Sequence, residues 1–174
     1  MTRPLLVVVA VALCLPGVAR ATGGLELRSP IADAAGLLTV AHACRPELAP
    51  LSWSAPPPGT RSFVVMVEDG AAQPSGFVHY VVYNLPASTL ALEPMPPGAI
   101  VGLNGRGERA FVPLCPQHGL HFYSLQVFAL DVMLPSFAAP TRDRLRSAMA
   151  GHVLAAGSIV ATTLPPNLSA SARK

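Results

Sequence analysis

The chain has 174 residues, is 51% hydrophobic and only 12% charged, and carries a formal net charge of +3. Its 19 prolines argue against a helical bundle, because proline removes a backbone donor and is kept out of helix interiors. The charge gives no case for nucleic acid as a partner: without Arg3 and Arg20, both in the leader described next, it falls to about +1.

Residues 1–21 read as a cleaved secretory signal peptide. Arg3 supplies the positive start, Leu5 to Leu15 is an unbroken apolar run, and Ala19-Arg20-Ala21 is a small-x-small cleavage site. The apolar run is too short for a transmembrane anchor, and no later one approaches about 20 residues. A secreted or periplasmic protein is expected, with residues 22–164 as one domain and 165–174 as a disordered tail. Two cysteines survive processing, Cys44 and Cys115. In an oxidising compartment they form a disulfide or stay as two buried thiols, and sequence leaves both open.

Along the mature chain, Leu25 to Arg28 and Leu37 to Cys44 are candidate strands, and Ala49 to Ser54 is a short extended piece ended by Pro56-Pro57-Pro58-Gly59. Ser62 to Glu68 and Phe77 to Leu85 are strong strands whose continuous apolarity predicts burial on both faces. Ala87 to Val112 reads as a long loop walling a pocket, with Asn104-Gly105-Arg106-Gly107 as a turn signal. His121 to Asp131 is the strongest strand of the second half. Pro140-Thr141 opens a helix whose apolar stripe is Leu145, Ala148, Met149, His152 and Val153, with Gly151 inside the pattern. Gly157 ends that segment before a last strand, Ser158 to Leu164. Arg142, Arg144 and Arg146 read as the solvent side of the helix.

Two segments stand out chemically. Glu68-Asp69-Gly70 leads through a Pro/Gly-containing loop to His79, and Cys115-Pro116-Gln117-His118-Gly119 leads to His121-Phe122-Tyr123. Each sets a histidine at the mouth of a strong strand. His121 and Tyr123, two apart on a strand, share a face. One carboxylate, two imidazoles and a phenol suit anion recognition by charge-assisted hydrogen bonds. Asp69 is expected to fix a neighbouring histidine's tautomer and raise its pKa. Other chemistries need stronger patterns. Two histidines and an aspartate could ligate zinc, but no close ligand spacing occurs. Ser75 or Ser124 could serve a hydrolase, but neither lies in a Gly-x-Ser-x-Gly elbow.

In order and spacing, the chain resembles the phosphatidylethanolamine-binding protein family, in its bacterial Raf kinase inhibitor-like (YbhB/YbcL) branch. The resemblance runs through Cys44, Pro50-Leu51-Ser52-Trp53, Pro58-Gly59-Thr60-Arg61-Ser62, Asp69, His79, Cys115-Pro116, His121-x-Tyr123, Ala129-Leu130-Asp131 and Gly151-His152-Val153. It implies a mainly β, antiparallel sandwich with one amphipathic helix near the C-terminus. It also implies a ligand pocket of Asp69, His79, Pro113, Pro116, His121 and Tyr123 that takes a small anionic or phosphorylated group; from the missing motifs above, no catalytic residue, metal or cofactor is expected. A protein-interaction role, inhibiting a kinase or protease, is the alternative. The chain departs from the family at Ala71, where a second loop aspartate is usual, and at Phe122, which replaces an arginine. Ala71 and Phe122 are expected to lie close together, apolar packing standing in for an ion pair.

Overall fold

The structure, a computed structural model, describes residues 24–39, 41–72, 76–115 and 119–163. The expected leader, Ser75, Pro116, His118 and the tail lie outside them. Two antiparallel sheets form the fold. The smaller pairs β1 (Leu27–Arg28) with β2 (Ser52–Trp53). The larger contains β3 (Ser62–Asp69), β4 (Phe77–Pro86), β5 (Ile100–Val101), β6 (His121–Leu130) and β7 (Val153–Thr163), in the order β5-β4-β3-β6-β7. One helix, α1 (Arg142–Met149), precedes β7.

The central strand β3 is buried along its whole length, as its unbroken apolar run predicts. Its side chains alternate between two cores. Phe63, Val65 and Val67 face Leu51, Trp53 and Leu114 on the side of the small sheet. Val64 and Met66 face Leu145 and Met149 of α1 on the other. Each such side chain contributes about 1.5–3 kcal/mol by leaving water. The same alternation sends the adjacent acids Glu68 and Asp69 to opposite faces, which decides their different fates below.

Several expected elements change. Among the described residues of Leu37 to Cys44, only Leu37 and Leu38 make bridges, and residues 41–44 form turns, with Cys44 at φ 58°. Ile100–Val101, inside the expected long loop, pairs with β4. The helix stops at Met149 because Gly151 takes φ +81°, a left-handed value that ends a helix at little cost to glycine. The segment from Val153, read as helix, is therefore strand β7, paired along β6 from Leu130 to His121. The three arginines are not a plain solvent face either: Arg142 and Arg146 reach Glu68, and Arg144 lies 5.0 Å from the Phe137 ring centre.

Cys44 and Cys115 are joined by a disulfide, with Cα atoms 4.5 Å apart. Gly157, on β7, lies beneath the N-terminal segment, where a Cβ would overlap the Leu25 carbonyl oxygen and the Leu27 side chain. Gly157→Ala should therefore cost about 2 kcal/mol by overpacking. Urea unfolding would read it, and an unchanged midpoint would contradict the close approach.

Candidate functional site

The register of β3 and β6 builds one side of the site. Asp69 pairs with Tyr123, so His121, two residues earlier on β6, projects beside the aspartate. Its Nδ1 lies 2.5 Å from Asp69 Oδ2. The other oxygen, Oδ1, accepts from the Ala71 N–H at 2.9 Å, which fixes the carboxylate from its own turn. A carboxylate only accepts, so His121 carries its proton on Nδ1. Tyr123 stacks on His121 with ring centres 6.0 Å apart.

The other side comes from an irregularity. Val67 pairs with Tyr80 but Glu68 pairs with Val78, so His79 is the extra residue of a β-bulge. A bulge re-aims a side chain, and here it turns His79 toward Tyr123, 5.3 Å away and edge-on. His79 Nδ1 donates to the Val112 carbonyl at 2.9 Å, while the Val112 N–H donates to the His79 carbonyl, also at 2.9 Å. The nitrogen of His79 that does not engage Val112 is thus Nε2.

These groups line one open cleft of about 810 Å³, with Pro113, Val112, Phe77, Arg106 and both disulfide cysteines in its wall. Five sequence-selected residues meet there: Asp69, His79, Pro113, His121 and Tyr123. Pro116 lies outside the described residues. Arg106 was missed, since Asn-Gly-Arg-Gly reads as turn punctuation. A cation at a turn tip, in a chain so poor in charge, was the available signal. His152 instead pairs with Asp131 at 2.8 Å, away from the cleft.

Asp69 does both things expected of it, fixing the His121 tautomer and raising the pKa of His79, but burial outweighs it at His79. Burial pushes the His79 pKa below its ordinary 6.5, with the charges of His121 and Arg106 lowering it further. The Val112 bond and Asp69 pull the other way without winning. Imidazole, not imidazolium, is the resting form of His79 at neutral pH. Burial, then the Asp69 charge, pushes the Tyr123 phenol well above its usual range, so it stays a donor.

The alternatives fare differently. Ser124 sits on the opposite face of β6, where its Oγ accepts from Gln126, so it cannot serve His79 as a nucleophile. Among the described residues, no three His, Cys, Asp or Glu side chains converge as metal ligands. For the Ala71/Phe122 expectation, the Gly70 N–H next to Ala71 donates to the Phe122 carbonyl, but Phe122 is 46% exposed on the face away from His121. It is not a buried replacement for an ion pair.

A family model for phosphatidylethanolamine-binding protein matches residues 29–164. The chain belongs to that family. It is 36% identical to a UPF0098 protein of Chlamydia trachomatis over 119 residues, 65% of this chain and 79% of that protein. It is 33% identical to Escherichia coli YbcL over 128 residues, 67% of this chain and 68% of YbcL. The crystal structure of YbcL superposes with a TM-score of 0.72, covering 81% of this chain and 98% of that one at 26% identity. A phosphatidylethanolamine-binding protein homologue of C. trachomatis gives 0.70 at 30% identity, covering 80% and 96%. The mainly β phosphatidylethanolamine-binding fold expected from sequence is the fold observed.

Proposed function

We propose that this phosphatidylethanolamine-binding family member is an exported, non-enzymatic binding protein that holds a small anionic or phosphorylated ligand in the cleft of His79, His121, Tyr123 and Asp69. The convergence of His121 and the bulged His79 on one open cleft, from β6 and β4, carries the reading. The Tyr123 hydroxyl and a protonated His79 Nε2 are donors suited to phosphate or carboxylate oxygens. Two side chains are already fixed by Val112 and Asp69, so little ordering is lost on binding. Export rests on the leader read in residues 1–21.

Because His79 is neutral at rest, an anion on Nε2 brings a proton with it. Affinity should then rise as pH falls below the ordinary 6.5 of histidine and fade above it. Acetate is a suitable probe, its own charge being constant from about pH 5.5 to about pH 8.5. Titration calorimetry should show tighter acetate binding at the acid end. His79→Gln with His121→Gln, which keeps the bonds to Val112 and Asp69 but cannot take up a proton, should weaken that binding about tenfold or more. Native mass spectrometry of freshly purified protein reads both the carried ligand and the mature mass. Equal acetate affinity at both pH values, or in the folded double variant, would overturn the proposal.

A further inference from the structure

The charges in the cleft nearly cancel. Asp69 is matched at most by His121, and His79 rests neutral at physiological pH. Arg106 is then the one permanent cation among the cleft-lining residues. It has no ion-pair partner among the described residues, which include all nine acids of the chain. Arg109, on the same loop, is by contrast spent on the Val101 and Ala138 carbonyls.

The backbone under Arg106 is rigidly built for an exposed loop. Buried Asn104 accepts from the N–H groups of Arg106 and Glu108 at 2.8 and 3.0 Å and donates to the Ala110 carbonyl at 2.9 Å. The Gly105 N–H donates to the Val78 carbonyl on β4, next to His79, and the Phe77 ring packs on Gly105. The loop is thus tied to the strand that carries the bulged histidine. Its charge is felt there, opposing protonation of His79.

We infer that Arg106 is the specificity-determining contact of this cleft and selects a phosphate monoester, with up to two charges and three terminal oxygens, over a phosphodiester or a carboxylate. This rests on the anion-binding reading given above. Asp69 opposes the second charge of a dianion, and a planar guanidinium fork offsets it while holding two oxygens at once. A diester or a carboxylate has one charge, which the histidine and tyrosine donors can satisfy alone. The ligand class is therefore a phosphorylated small molecule or side chain rather than an intact phospholipid headgroup.

The test is calorimetric titration of the full mature protein with methyl phosphate, dimethyl phosphate and acetate at about pH 7.5, where the monoester is mostly dianionic. Methyl phosphate should bind tightest. Arg106→Gln should weaken it about tenfold and the other two less than about twofold, with Arg106→Lys intermediate. An equal loss for all three probes, or none for methyl phosphate, overturns the role of Arg106 while the cleft reading stands. Failure of all three to bind the unmutated protein at about pH 5.5 as well as at about pH 7.5 removes both.

Discussion

Replacing Cys44 and Cys115 together by serine should lower the unfolding free energy by about 4 kcal/mol, the loop-closure value for a cross-link between residues 71 apart. The bond joins the turn at residues 41–44 to the wall segment that follows Val112, and the Cys44 N–H also donates to the Leu114 carbonyl at 3.1 Å. The unfolded chain regains the freedom of a long loop once the bond is cut. The native wall also loses its second attachment. Val112 belongs to that wall and fixes His79, so anion affinity should fall as well, well below the melting temperature. Urea unfolding of the oxidised protein, the reduced protein and the double serine variant measures the first effect. Calorimetry with acetate measures the second. A loss below about 1 kcal/mol would mean that the turn and wall are held by their other contacts and the bond is incidental.

How much of this was visible in the residues depends on the range of the interaction. β3, β4 and β6 were legible because dense β-branched and aromatic runs fit little besides buried strands. His121 and Tyr123 were legible because alternation is a local rule. The bulge at His79 was not: it is a mismatch between two strands, and neither strand alone records it. The end of α1 failed for a related reason. Val153-Leu154-Ala155-Ala156 is short and apolar, compatible with either period, and pairing with β6 decided for strand. Arg106 was hidden by its own turn chemistry, since only the closed loop brings it over the cleft. The acids 68 and 69 looked like one loop feature, yet the pleat sends Asp69 to the histidines and Glu68 to the helix.

That second destination carries a stability prediction: Arg146→Ala should destabilise the domain by about 2 kcal/mol, below the range for a fully buried ion pair because Glu68 is buried but the Arg146 side chain is 44% exposed. Glu68 is 8% exposed and lies 2.6 Å from Arg146, with Gln126 Nε2 donating to the same oxygen at 3.1 Å. Arg142 stands further off at 3.6 Å and is held chiefly by Asp143, whose hydrogen bond is the main cause of its raised pKa. Its hold on Glu68 is the weaker of the two, so Arg142→Ala should cost under about 1 kcal/mol. Loss of Arg146 leaves a carboxylate facing Gln126 and the helix without its closest charge. The penalty is mostly that stranded charge, not the attraction forgone. Adding Glu68→Met to Arg146→Ala should then recover most of the loss, because the methionine continues the apolar surface that Val64 and Met66 present to α1. Urea midpoints of the two single arginine variants and the Glu68→Met/Arg146→Ala double variant decide it. If the double variant is less stable than Arg146→Ala alone, the pair contributes net attraction to docking the helix, and the stranded-charge account is wrong.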